Sequence, residues 1–249
     1  MSDNKVVDIK GLLDTYEFPC VLPGSGTELL IRPITTSQMK KILAYENEND
    51  PYIIEEALDK LIINCVVTPE FNIDQLYLQD RFSLLLEIRK VTKGDGYVFN
   101  WKCPKCKVEN IKNVLISELP VKTLNRDNNI IIINDKLSFE VDFPTRGDQK
   151  DAINRLKGKN LGYREKQLEV QVGTYANSVK KVHTPNGEFD DIPFEDKVYI
   201  LENVTSEVFS MFTKWFVDHD FGVVFNTDVK CVGCGYEEKV TIPLSDFFV

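Results

Sequence analysis

The sequence predicts an α+β fold of two pseudo-repeated lobes, each a β-hairpin, then helices, then a cysteine β-hairpin, with the lobes joined through four cysteines. Three observations predict it. Two Cys-x-x-Cys pairs, Cys103/Cys106 and Cys231/Cys234, each follow a Val-Phe-Asn segment and precede a stretch of alternating apolar residues. Segments with apolar residues three and four apart are interspersed with short period-two segments, the signs of helix and strand. The order of those segments in residues 18–127 recurs in residues 128–249, as expected of a diverged tandem duplication. Residues 1–17 precede both lobes as a polar arm with a short apolar-patterned stretch from Val6 to Leu13.

In the first lobe, residues 18–23, the turn Gly24-Ser25-Gly26 and residues 29–33 read as a hairpin with prolines at its edges. Thr35 and Gln38 form a capping box that opens a helix with Met39, Ile42 and Leu43 on one face. Asp50-Pro51 is a second helix start, carboxylate as N-cap and proline in the first turn. Ile54, Ala57, Leu58, Leu61, Ile62 and Cys65 follow it at the spacing of a half-buried helix. After Phe71-Asn72-Ile73-Asp74 a third helix carries Phe82, Leu85, Leu86 and Arg89, and Gly94 and Gly96 turn the chain into the first cysteine hairpin.

The second lobe repeats the order. Residues 130–133, the turn Asn134-Asp135 and residues 137–144 form a hairpin, and Thr145 to Asp148 stand where Thr35 to Gln38 stood, opening a helix over Ala152, Ile153 and Leu156. Residues 163–179 read as a helix with Leu168, Val172, Tyr175 and Val179 on one side. Phe189 to Ile192 and residues 196–201 match Phe71 to Asp74 and residues 80–85. An insertion then follows: Thr205 caps an extra helix with Val208, Phe209, Phe212, Trp215 and Phe216 on its inner face, and Gly222 ends it. The insertion accounts for the Cys103-to-Cys231 offset of 128 residues against 118 for Phe71 to Phe189.

Composition narrows the function. A chain of 249 residues, 43% hydrophobic and 28% charged, can bury a core without disulfides. It contains no apolar run of the roughly 20 residues a membrane helix needs, and its first residues lack the layout of a secretion signal, so a cytoplasmic setting is expected. A formal net charge of −9 opposes a sequence-independent hold on phosphate backbones, so neither nucleic acid nor membrane is an expected partner.

In a reducing compartment paired Cys-x-x-Cys motifs point to metal or redox chemistry. Redox motifs of this kind open a helix, where the dipole lowers a thiol pKa, whereas these lie between strands. Four thiolates suit a closed, structural Zn2+ site, one per chain, with Cys103, Cys106, Cys231 and Cys234 as ligands. Since 124 residues lie between Cys106 and Cys231, such a site ties the two lobes together. The alternative is four thiols with no metal. Cys20 and Cys65 lie in apolar stretches and read as ordinary buried thiols.

A catalytic zinc site needs an open position and an acid/base partner. The two histidines, His183 in a hairpin and His219 at a helix end, belong to no His-Glu-x-x-His, and no Gly-x-Ser-x-Gly, phosphate-binding loop or dinucleotide fingerprint is present. No catalytic residue is assigned, and no enzyme is expected. Glu188, Asp190, Asp191 and Glu195 could be drawn as a carboxylate cluster for a metal but read as solvated turn and helix-start residues. The aromatic set Phe209, Phe212, Trp215 and Phe216 reads first as core and second as a surface for another protein.

Residues 29–40, 71–82, 87–94 and Cys103-Pro104-Lys105-Cys106 resemble the baseplate hub proteins of T-even-like contractile-tailed bacteriophages, a family of hub subunits and hub assembly factors. The resemblance is strongest over about residues 18–120. It implies a virion protein of the tail baseplate, present in the host cytoplasm during assembly, whose partners are other baseplate or hub proteins, with self-association in a symmetric hub a further possibility. A reading from a different class, a zinc-ribbon protein that binds nucleic acid or associates with transcription, draws on Lys102, Lys105 and Lys107, which Glu237 and Glu238 offset in the second hairpin.

Overall fold

A computed structural model of the chain describes residues 16–244 apart from 46, 47 and 49. The stretch from Val6 to Leu13 expected in the N-terminal arm lies outside the described residues. Mixed helices and small antiparallel sheets make up the rest, so the α+β class holds.

Strand β1 (Phe18–Val21) pairs with β2 (Glu28–Ile31), and the alternation turns Cys20, Leu29 and Ile31 into the core. The turn between them is held from outside: N–H groups of Gly24 and Ser25 donate to the two oxygens of the fully buried Asp80 at 2.7 and 2.8 Å. Helix α1 (Thr36–Leu43) begins at the expected Thr35/Gln38 capping box, and α2 (Pro51–Cys65) begins where Asp50 accepts the Tyr52 N–H at 2.9 Å. A 3-10 turn at Ile73–Gln75 leads into α3 (Leu78–Lys93). This helix is buried on most sides, because Leu84, Leu85 and Ile88 fill the first core while Leu86 points into a different one.

Strands β3 (Gly96–Lys102) and β4 (Glu109–Leu115) form the first cysteine hairpin, and β11 (Asn226–Lys230) and β12 (Glu237–Thr241) the second. The two do not sit apart. Tyr97, Phe99 and Val114 of the first share one core with Val229 and Ile242 of the second, and Leu86 closes it. A short pairing of β5 (Val121–Lys122) with β10 (Gly222–Val223) adds a backbone connection between the segment that follows the first cysteine hairpin and the one that precedes the second.

In the second half the hairpin β6 (Ile130–Asn134) and β7 (Leu137–Val141) departs from expectation by growing into a four-stranded sheet with β8 (Val179–Thr184) and β9 (Gly187–Phe189). Local geometry explains why. Helix α4 (Arg146–Asn154) and helix α5 (Tyr163–Ser178) return the chain beside β7, where Asp142 donates to the Ser178 carbonyl at 2.9 Å and Val141 faces Val179. In the first half α2 makes the same approach: Arg32 donates to the Cys65 carbonyl at 2.8 Å and Ile31 bridges Val66. There Pro69, which cannot donate to a ladder, ends the pairing before a strand forms.

Helix α6 (Phe194–Asn203) and the inserted α7 (Ser206–Asp218), capped by Thr205, close this half. Phe143 is fully buried against Trp215, Phe216 and Phe221, with ring centroids 5.1, 5.9 and 4.8 Å away. One expected core position is not in the core: Leu168 is exposed, and α5 buries Val170, Val172, Gly173 and Ala176 instead. The helix is rotated by a close crossing over α4, where a Cβ added to Gly173 would lie 2.8 Å from that of Ala152.

The halves also meet through charge. Asp59 on α2 is buried and accepts from Arg81 of α3 at 2.7 Å and from Arg146 of α4 at 2.8 Å, with Lys150 at 3.3 Å. Arg81 also reaches Glu55 at 2.7 Å, and Arg146 is 1% exposed. One carboxylate thus compensates cations from both halves. Among the described residues no helix is long and apolar enough to cross a membrane.

Asp59→Ala should strand two buried guanidinium groups and cost about 3–5 kcal/mol, whereas Glu55→Ala, at the edge of the same network, should cost about 1 kcal/mol or less. Urea denaturation checks both. Equal losses for the two variants would show that the buried carboxylate has no special weight.

Candidate metal centre

Each cysteine turn is built the same way. In the first, the Cys103 N–H donates to Val108 and the Lys107 N–H to the Cys103 carbonyl, both at 3.0 Å. In the second, the Cys231 N–H donates to Tyr236 at 2.8 Å and the Gly235 N–H to the Cys231 carbonyl at 2.9 Å. The residue after the second cysteine is left-handed in both turns, Lys107 at φ 64 and Gly235 at φ 70. The bend thus presents two sulfurs on one side of each turn, and the common core of the hairpins makes those sides face each other.

All four sulfurs lie within 4.8 Å of one another. The shortest cross-hairpin separations are 3.4 Å for Cys106–Cys231 and 3.7 Å for Cys103–Cys234. Tetrahedral bonds of about 2.3 Å from zinc to sulfur place neighbouring sulfurs roughly 3.8 Å apart, so the donor set fits such an ion. Cys103 and Cys231 are buried while Cys106 and Cys234 are exposed, which leaves an approach from solvent. The turns close tightly: a Cβ on Gly233 would stand 3.0 Å from Val108 Cγ2 and 3.5 Å from Cys106 Sγ.

The electrostatics favour thiolate where the backbone supplies donors. Burial by itself raises the Cys231 thiol, but N–H groups of Cys234 and Gly233 and the thiols of Cys106 and Cys103 outweigh it and lower the pKa to about 6. Cys106 goes the other way: the Val108 N–H lowers it, but the neighbouring sulfurs, Cys231 foremost, raise it more, to about 12. Four adjacent sulfurs cannot all carry charge unless a cation sits among them.

A residue with no motif of its own completes the centre. Asn110 is buried on β4, accepts the Val232 N–H at 2.8 Å, donates to the Val108 carbonyl at 2.9 Å and places its amide nitrogen 3.8 Å from Cys231 Sγ. It therefore ties one cysteine turn to the other. Its only sequence signal is a polar side chain at an inward position of an alternating strand. Trp101 makes a second tie, donating from Nε1 to Glu238 at 3.0 Å.

The other candidates fall elsewhere. Cys20 and Cys65 are buried in the first core, and burial is the main cause that pushes their thiols to about 12 and about 11. His183 lies in the β8–β9 hairpin, with Glu188 3.3 Å from Nδ1 and Glu140 3.8 Å from Nε2, and His219 caps α7 and stacks on Trp215. Glu188, Asp190, Asp191 and Glu195 are exposed. Phe209, Phe212, Trp215 and Phe216 pack in the second core, where Tyr175 stacks on Phe216 at 4.7 Å, so the aromatic set is core.

The fold and the centre define an α+β protein whose two cysteine hairpins, distant in sequence, close on each other through four thiols. The chain belongs to the family described as T4 bacteriophage base plate protein, whose model matches residues 14–249. No curated protein and no solved structure matches the chain. The resemblance drawn from residues 29–40, 71–82 and 87–94 is thus borne out for the family, and the match runs through the second half as well. Membership makes the chain a structural protein of a phage tail baseplate.

Asn110→Ala should leave the four sulfurs in place yet weaken metal retention roughly 10–100-fold, the usual effect of removing a residue that orients ligands. Competition with a chromophoric chelator measures it, and unchanged retention would remove Asn110 from the centre.

Proposed function

We propose that the chain is a structural or assembly component of the baseplate hub, acting through contacts with other baseplate or hub proteins and without catalysis. In this reading Cys103, Cys106, Cys231 and Cys234 hold one structural zinc ion per chain. The convergence of four sulfurs from hairpins 124 residues apart carries the metal assignment. The family match carries the baseplate assignment.

Zinc bound there would neutralise thiolates that otherwise repel and would join the two hairpins covalently in effect. Apparent binding energies on the order of 10 kcal/mol in small zinc peptides indicate how much folding energy such a site supplies. A body locked in one orientation loses less freedom on docking, which suits a part of a large assembly. The same reading treats residues 18–127 and 128–249 as diverged copies of one unit. Matching hydrogen bonds in the two cysteine turns, and the matching Arg32–Cys65 and Asp142–Ser178 bonds, support that ancestry.

Nucleic-acid binding is the weaker reading. Lys105 lies over the Tyr236 ring at 4.3 Å and Lys230 pairs with Glu237 at 2.7 Å, so the cysteine turns present mixed charge to solvent.

Purified protein should contain one zinc per chain by elemental mass spectrometry, and Cys103→Ser should lose both the metal and several degrees of thermal stability. A folded, cysteine-intact protein free of metal would refute the zinc assignment. Mass spectrometry of purified tails tests the baseplate assignment: the protein in mature baseplates marks a resident hub subunit, and its presence only in assembly intermediates marks an assembly factor. Absence from both would refute the hub reading.

A further inference from the structure

The four sulfurs of the cysteine centre are not equivalent. Cys106 and Cys234, one from each turn, are exposed, whereas Cys103 and Cys231 are buried. Each exposed sulfur lies against the buried sulfur of the opposite hairpin, Cys106 at 3.4 Å from Cys231 and Cys234 at 3.7 Å from Cys103. The first pair spans 125 positions of the chain and the second 131. A reagent arriving from solvent therefore meets a sulfur with a thiol of the other hairpin beside it.

Contacts made without the sulfurs keep these pairs aligned. Tyr97, Phe99 and Val114 of the first hairpin share a core with Val229 and Ile242 of the second. Asn110 accepts the Val232 N–H at 2.8 Å, Trp101 donates to Glu238 at 3.0 Å, and β5 pairs with β10. The hairpins are thus held face to face by packing and hydrogen bonds as well as by any metal ion. Such alignment gives each exposed sulfur a high effective concentration of its buried partner. A sulfur oxidised to the sulfenic level then condenses with that neighbouring thiol before it is oxidised further.

We propose that Cys106 and Cys234 are oxidation sites for hydroperoxides and close as two crossed disulfides, Cys106–Cys231 and Cys103–Cys234, so that the clasp between the hairpins survives loss of its metal. The Cys106 thiolate attacks the peroxide: an S–O bond forms, the O–O bond breaks and hydroxide leaves. The Cys231 thiolate then attacks the Cys106 sulfur, so that the S–S bond forms, the S–O bond breaks and a second hydroxide leaves. Two thiolates lose two electrons and one peroxide gains them. Cys234 and Cys103 repeat the sequence with a second peroxide. Thiolates persist in a reducing compartment and disulfides in an oxidising one, so a tail component made in the first and released into the second stays closed in both. This crossed pairing deepens the role proposed above for the four cysteines and rests on that reading only for the metal, because the contacts that align the sulfurs contain none.

The test takes the full chain, purified under reducing conditions and with its zinc content measured, and treats it with hydrogen peroxide in the presence of a chelator. Alkylation without reduction, digestion and mass spectrometry then map the cysteines. Peptides joining Cys106 to Cys231 and Cys103 to Cys234 are expected, with zinc released in step with their formation. The oxidised chain in chelator should unfold several degrees above the reduced chain in chelator, and a reductant should erase the difference. Cys106→Ser should keep only the Cys103–Cys234 bridge, and Cys234→Ser only the Cys106–Cys231 bridge. Bridges within a turn, bridges between chains, sulfinic acids at Cys106 and Cys234, or an oxidised chain no more stable than the reduced one would each overturn the proposal. A chain that holds no zinc before treatment would refute the metal assignment instead, and mapping of that same sample would still decide the pairing.

Discussion

Four sulfurs can lie within 4.8 Å of one another only if two hairpins that are far apart in sequence share a core and face each other. The rest of the structure serves that requirement. Helix α3 runs from the first core into the shared one, β5 pairs with β10, and Asp59 draws Arg81 and Arg146 together from the two halves. Each device fixes the orientation of one half against the other. The hydrophobic part is not directional, and the ion pairs and ladder bonds supply the direction.

The energetic weights differ. The buried Asp59–arginine network is worth most as a constraint: ion pairs taken out of water return little net stability, but removing one partner is expensive. The aromatic packing around Phe143 is a larger favourable term, since truncating a buried phenylalanine typically costs about 3–5 kcal/mol. The cysteine centre combines both characters: its sulfurs are brought together by the shared hydrophobic core, and as thiolates they would repel one another.

The two halves are alike in some elements and differ in others. The two cysteine turns are alike: each has one left-handed residue after its second cysteine and the same two backbone bonds. The surfaces are not. One hairpin stops at Pro69 while its counterpart grows into a four-stranded sheet, and one ribbon has a charge-paired outer face while the other exposes Val98 and Ile111. Interior geometry is held by packing, whereas exteriors are free to acquire partners.

Local signals in the sequence were enough for the helix starts at Thr35, Asp50, Thr145 and Thr205, the cysteine hairpins, the inert Cys20 and Cys65 and the four candidate ligands, because caps, turns and side-chain period act over a few residues. The family was legible in several of the same segments. Leu168 was misplaced because a close crossing at Gly173 decides which face of α5 is buried. Only the tertiary structure decided that Asp59 meets Arg146, that Asn110 bridges the two turns, and that the sulfurs of Cys103 and Cys234 come within 3.7 Å. Those pairings join residues 87, 122 and 131 positions apart, and no local propensity reaches that far; they exist because burying the cores brings the two halves of the chain together.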